Sequence, residues 1–254
     1  MKRILQAISD STPVQVLIAV LFYGLYASVI GVCLVPSIYL VLWAIGALLP
    51  DPSFGNIVLF GLCLGAALFL YFITGVIVMG GLIRLISLGM KPGRYPVLSL
   101  TMLRWLLYSG IATIATVTVL PMIPVSWFSN LYFKIVGCKM GKNVYLNSFL
   151  INDAYLVEIG DDVTVGGKAN ISCHLFEKGW LILDRIKIGS HSLIGSFAYI
   201  APGVTVGEHC TVGLNCYVRR GARIPDGSVY TSLGGLPIRK MAHLEKMASA
   251  EQRN

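Results

Sequence analysis

The sequence predicts two joined parts: an α-helical membrane region at the front and an all-β parallel β-helix behind it, closed by a short C-terminal helix. Three observations predict this. The chain of 254 residues is 56% hydrophobic and only 13% charged, and its apolar residues gather before about residue 128. Two stretches there, Val14 to Leu49 and Ile57 to Ile83, contain no charge at all, and a bilayer crossing takes about 20 apolar residues. The rear half keeps a period of six: Ile182, Ile188, Ile194, Ile200, Val206, Val212, Val218 and Ile224 are aliphatic. With roughly a quarter of positions aliphatic, eight in register arise by chance about once in 10⁵. Six matches neither the helical period of 3.6 nor the strand period of 2. It fits short strands that wind around a prism and stack coil on coil.

The membrane region is expected to cover residues 1–128. Its first run is far longer than the core of a cleaved leader and gives a span over about 14–36, with a kink at Pro36. Trp43 and the Pro50-Asp51-Pro52 turn mark the interface that follows. The second span covers about 57–83. Residues 95–128 are mixed, with Arg104 and Trp105 early, Thr113, Thr116 and Thr118 in the middle, then Pro121 and Pro124. They are expected to form a re-entrant or interfacial pair. Arg104 is expected either to reach lipid headgroups or to contact a lipid-linked acceptor or the β-helix. Lys2, Arg3, Lys91 and Arg94 flank the spans, while the loop between them holds only Asp51. The excess of cations places the N-terminus and the 84–96 loop in the cytoplasm.

The β-helix is expected over 129–238, with 239–254 as a C-terminal helix or tail. Four residues after each aliphatic stands a mostly small side chain: Ile186, Ser192, Ala198, Val204, Cys210, Cys216, Ala222, Ser228. Upstream, Ile159, Val165 and Ile171 continue the beat, with Val163 and Ala169 at the small position. From Ile171 to Ile182 the beat slips by one residue, through Ser172-Cys173-His174-Leu175-Phe176-Glu177-Lys178-Gly179-Trp180. A broken repeat carrying His174 and Glu177 is where such a scaffold holds chemistry. His191 and His209, eighteen apart, should stack one coil above the other at about 4.8 Å as exposed corner residues. Cys33, Cys63, Cys210 and Cys216 read as compact apolar filler. No CxxC pair suggests zinc.

The net charge of +8 divides evenly between residues 1–128 and 129–254. No basic run is interleaved with aromatics, so nucleic acid is excluded as a partner. Anionic headgroups and a nucleotide-bearing cofactor account better for the excess.

From Asp153 to Pro237 the sequence resembles the hexapeptide-repeat O-acetyltransferases of the maltose and colanic-acid type. The resemblance is carried by Asp153, Leu156 to Asp161, the His174 loop, Ile188-Gly189, Ile200 to Gly207 and Gly235-Leu236-Pro237. It implies a left-handed β-helix, a homotrimer, and acetyl-CoA held in a groove between subunits. It makes His174 the catalytic base and assigns the coenzyme to Ala201 and Gly203, with Arg219, Arg220, Arg239 and Lys240 as cations for its phosphates. Asp153 or Glu177 would orient the imidazole. Cys173 as nucleophile is disfavoured, since neighbours in extended chain face opposite ways. Lys91 to Pro96, Leu103-Arg104-Trp105, His174 to Glu177 and Leu183-Asp184-Arg185 also resemble the membrane-embedded terminal domains of poly-lysine-type nonribosomal peptide synthetases. That resemblance implies an aminoacyl thioester, a carrier protein as partner and an amine acceptor.

The reading is therefore a multi-pass acyltransferase of the inner cell membrane. It moves an acyl group, most simply acetyl from acetyl-CoA, to a hydroxyl or amine near the membrane. Amide-bond formation from a carrier-bound aminoacyl thioester is the alternative, and a non-catalytic trimerisation scaffold is a third. A zinc hydratase like the gamma-class carbonic anhydrases is disfavoured, because a straight histidine column cannot converge on one ion. The β-helix is placed in the cytoplasm with the thioesters, so 95–128 is expected to make no net crossing.

Overall fold

The computed structural model describes residues 12–231 and 234–237. The expected C-terminal helix, Arg239 and Lys240 lie outside the described residues. The chain divides into two compact units, residues 1–79 and 80–254.

The first unit is helical. Helix α1 (Thr12–Leu48) and the start of α2 (Phe54–Ser87) are joined by the Pro50-Asp51-Pro52 turn. Ser53 opens α2 by accepting from Asn56 N–H at 3.3 Å. Two hydroxyls join the helices: Ser37 Oγ donates to Ala67 O at 2.6 Å and Thr74 Oγ1 to Cys33 O at 2.7 Å. These bonds lie on either side of Pro36. The expected first span stopped near 36, but α1 continues through this proline to Leu48. Three stretches, Ala19–Leu48, Phe54–Ser87 and Leu100–Met122, are long and apolar enough to cross a membrane.

In the second unit, Arg104 Nη2 donates to Ile86 O at 2.6 Å and Leu88 O at 2.5 Å. Arg104 thus satisfies carbonyls at the C-terminal end of α2. Residues 95–128 are not a hairpin of two legs. Strand β1 (Gly93–Pro96) leads into a single helix, α3 (Leu100–Thr118), followed by a 3₁₀ turn at Leu120–Met122. Ser99 caps α3 by accepting from Met102 N–H at 3.1 Å. Met102, Trp105, Tyr108, Ile111 and Ala115 form its buried face, at helical spacing.

Helix α4 (Trp127–Val136) runs across the boundary expected at 128/129. Ser126 and Ser129 form its capping box, and Gly137, at φ 109°, ends it. Asn130 Nδ2 donates to Val144 O at 2.8 Å and ties α4 to the first coil.

The β-helix begins at β2 (Lys139–Met140). Its strands form three parallel sheets. One holds β2, β5 (Val157–Ile159), β10 (Ile186–Ile188), β13 (Thr205–Val206) and β16 (Arg223–Ile224). The second holds β3 (Tyr145–Leu146), β6 (Thr164–Val165), β11 (Leu193–Ile194), β14 (Thr211–Val212) and β17 (Ser228–Thr231), with β18 (Gly234–Pro237) added antiparallel. The third holds β4 (Ile151–Asn152), β7 (Asn170–Ser172), β12 (Tyr199–Ile200) and β15 (Tyr217–Val218). Ile188 pairs with Val206 and Val206 with Ile224, so three hexads make one coil. These aliphatics are buried, each contributing about 1.5–3 kcal/mol. Coils approach so closely that a Cβ on Gly189 would lie 2.5 Å from Gly207 C.

The slipped beat has a different origin from the one-residue offset read in the sequence. Ile159 pairs with Ile188 across 29 residues, eleven more than a regular coil. The extra residues form a hairpin, β8 (His174–Glu177) and β9 (Trp180–Leu183), that leaves the coil. Ile182, which fits the period, belongs to this hairpin and pairs with Leu175 and Arg94. Lys178 and Gly179, at φ 49° and 79°, form its two-residue turn. Strand β1 adds antiparallel to β9 and completes a three-stranded sheet.

Candidate active site

His174 opens β8 where the chain leaves the coil, and Asp153 sits below it after β4. Asp153 adopts φ 56°, ψ 45° at the start of the 3₁₀ turn Ala154–Leu156. Aspartate tolerates this left-handed conformation better than most residues. Its carboxylate is almost wholly buried, with 1% of the side chain accessible. Two donors satisfy it: Trp105 Nε1–H at 2.7 Å to Oδ1, and His174 Nδ1 at 2.5 Å to Oδ2. With Asp153 as a carboxylate, which only accepts, Nδ1 is the donor of this pair and a neutral imidazole keeps its lone pair on Nε2.

Helix α3 supplies most of what surrounds the pair. The Trp105 ring meets the His174 ring edge-on at 4.7 Å and Phe176 at 5.2 Å. One turn on, Tyr108 Oη accepts from Ala154 N–H at 3.0 Å and fixes the peptide beside Asp153. His174 keeps 23% of its side chain accessible. Together with Asp153 it lines a cavity of about 220 Å³ walled by α3 and α4.

Of the candidate site residues, His174 and Asp153 are brought into contact. Glu177 is not with them. In extended chain it faces away from His174 and Phe176, and its Oε2 lies 3.7 Å from Arg220 Nη1. Ala201, Gly203, Arg219 and Arg220 share one corner of the β-helix, where Gly221 N–H donates to Pro202 O at 2.9 Å. Ala201 is buried, and its N–H donates to Val218 O at 3.1 Å. Gly203, at φ 79°, passes so close to Asp184 that a Cβ would lie 2.7 Å from Oδ2. Arg219 and Arg220 are exposed.

Cys173 is fully buried, and burial, then the nearby Asp153 charge, push its thiol well up. It is unsuited to act as a thiolate nucleophile. Burial and the same carboxylate raise the Tyr155 phenol. His191 and His209 stack at 4.7 Å with planes 12° apart, as the repeat predicts. His174 does not join that column, because its Nδ1 is bound to Asp153.

Trp105 and Tyr108 are functional neighbours that sequence reasoning missed. The Leu103-Arg104-Trp105 motif drew attention to the arginine for its charge, but the indole is what reaches the site. A Trp and a Tyr three apart on an apolar helix were the available signal.

The family profile described as bacterial transferase hexapeptide (six repeats) matches residues 185–220. The match falls within the three stacked sheets, whose hexad repeat makes the C-terminal region a left-handed parallel β-helix. Among individual proteins, it is 30% identical over 170 residues to the delta-poly-L-ornithine synthetase of Acinetobacter baumannii (strain AB307-0294). The match takes 67% of this chain and spans 12% of that protein's length. Similar solved structures include a galactoside acetyltransferase in complex with coenzyme A, at 16% identity and a TM-score of 0.42, covering 58% of this chain and 86% of that one. Another is a maltose O-acetyltransferase from Clostridium difficile 630, at 16% identity and a TM-score of 0.35, covering 66% of this chain and 86% of that one.

Proposed function

We propose that this chain is a membrane acyltransferase that moves an acyl group from a thioester to a hydroxyl or amine, with His174 as general base. The observation that carries this reading is the part-buried hydrogen bond between His174 and Asp153, which orients one imidazole nitrogen and leaves the other for a substrate. The hexapeptide repeat of the transferase type supports it.

The reaction needs no covalent enzyme intermediate. His174 Nε2 takes the proton of the acceptor O–H or neutral N–H as that atom bonds to the thioester carbonyl carbon. The tetrahedral intermediate collapses, the C–S bond breaks, and the departing sulfur recovers the proton from the imidazolium. Asp153 holds the ring in the reactive tautomer and stabilises its positive charge. A base of this kind contributes about 10²–10⁴-fold. Ala201, Gly203, Arg219 and Arg220 are the candidate residues for a coenzyme A donor, with the arginines matched to its phosphates.

A second donor is favoured by one finding, the identity with a poly-ornithine synthetase over two thirds of the chain. In that reading the thioester is aminoacyl, carried by a carrier protein, and the product is an amide. Under either donor, we place the N-terminus, the 84–96 loop and the β-helix in the cytoplasm and the working form as a trimer. The experiment is thiol release by the purified full chain in lipid nanodiscs, offered acetyl-CoA or an ornithyl-carrier thioester with amine and hydroxyl acceptors. His174-dependent release supports the proposal, and no release from either donor counts against it.

A further inference from the structure

The cavity beside the His174–Asp153 pair has a size and a lining that select its occupant. Along α3 it is lined by Tyr108, Ser109, Ala112, Thr113, Thr116 and Val117, a single helix face. At 1.5 Å per residue it follows the helix for about 13 Å. Tyr132, Phe133 and Val136 of α4 form the opposite wall. Its volume of about 220 Å³ equals that of roughly seven waters. A slot of this size admits a group of about seven non-hydrogen atoms.

The chemistry of the lining narrows the class further. Among the described residues, no Lys or Arg lines the cavity, and Asp153 is its one carboxylate. An acceptor bearing a phosphate or carboxylate on the part that enters would find no cation there, and burying such a charge unpaired is costly. The Thr116 hydroxyl is already spent, donating to Ala112 O at 2.8 Å. The Thr113 hydroxyl likewise donates to Ser109 O at 2.8 Å, Ser109 and Asn152 add polar groups, and the remaining walls are mainly aliphatic and aromatic.

We infer that this cavity seats the acceptor, and that the part that enters is an aliphatic amine or alcohol of about seven non-hydrogen atoms bearing no anionic group. The chain lies along α3 and its nucleophile meets His174 Nε2. This rests on the acyl-transfer reading and names its substrate class. It also excludes a free amino acid entering carboxylate-first.

The test uses the full chain in nanodiscs with n-alkylamines of two to ten carbons, with acetyl-CoA and ornithyl-carrier thioester as donors. Efficiency, kcat/KM, rises about fourfold per methylene until the chain reaches about seven atoms, then levels off. Ala112→Leu, which fills the slot, flattens this rise, and so does Thr116→Leu if Ala112→Leu fails to fold. A second readout needs no turnover: an octylamine carrying a terminal diazirine is photolysed on the protein and the labelled peptide identified. Labelling is expected within 108–117 or 132–136 and is lost in the filled variants. Turnover with no chain-length dependence overturns the inference. So does a filled slot that alters preference for the donor's acyl chain instead, or labelling that falls elsewhere. Labelling at the slot without thiol release upholds the chain site and refutes the transfer reading, so the two failures are distinct.

Discussion

Replacing Asp153 by Asn changes few atoms but inverts the logic of the site. The wild-type carboxylate accepts from two groups, Trp105 Nε1–H at 2.7 Å and His174 Nδ1–H at 2.5 Å. An amide offers one oxygen and one NH₂. Indole nitrogen can only donate, so the oxygen stays with Trp105 and the NH₂ turns toward His174. The imidazole then presents a bare Nδ1 to the amide and carries its proton on Nε2, where the acceptor arrives. The base is lost while the packing survives. By analogy with the same change in a serine-protease triad, and by the worth of a general base, kcat should fall about 10²–10⁴-fold with little change in KM. That is about 3–5 kcal/mol of barrier at 1.36 kcal/mol per decade. Stability should fall by no more than about 1–3 kcal/mol, the scale of a weakened hydrogen bond to a charged group. Thiol release gives the rate, and ¹⁵N shifts of the labelled ring read the tautomer directly. Activity within threefold of wild type, or an unchanged tautomer, refutes the reasoning.

Three further outcomes are expected. Trp105→Phe keeps the ring contact with His174 but removes the donor to Asp153. It should lower kcat about tenfold while shifting the pH profile of kcat, whereas an unmoved profile would mean the indole only packs. Cys173 should resist iodoacetamide at pH 7–8 in the folded protein, because burial raises its thiol pKa and the reactive thiolate forms only above that raised value. Rapid Cys173 modification with parallel loss of turnover would restore it as a nucleophile. A cysteine placed at Ser249 should resist a membrane-impermeant thiol reagent in intact spheroplasts and react after lysis. Labelling in sealed cells would put the β-helix outside.

Much of the fold was legible because period and packing coincide in a β-helix. Each aliphatic at spacing six fills the axis, and each coil repeats the one below, as Ile188, Val206 and Ile224 do. The hairpin was only half legible. The broken beat located it, but Ile182 fits the hexad by coincidence, so the eleven-residue insertion looked like a slip of one. Pattern alone could not reveal it, since β9 pairs with Gly93–Pro96, some ninety residues away. Within the site, His174 and Asp153 were named from the repeat's resemblance. Glu177 competed with Asp153, and strand alternation decides against it by placing it on the face of β8 opposite His174. Trp105 and Tyr108 were missed because their role arises only where α3 packs against the first coils. Residues 95–128 misled for a related reason. Their hydroxyls and prolines suggested a broken element, but Thr113, Thr116 and Thr118 turn their hydroxyls back to the carbonyl four residues earlier and leave one unbroken helix.

The central claim is that His174, held by Asp153, draws a proton from an acceptor that attacks a thioester. Its most direct measurement is single-turnover thiol release by wild-type protein and by His174→Ala, side by side in nanodiscs, at saturating thioester and amine. The account predicts an acylated amine formed in step with the thiol, and a loss of about 10²–10⁴-fold in the alanine variant with its fold and assembly intact. Equal rates in the two proteins would contradict it, as would thiol release with no acylated product.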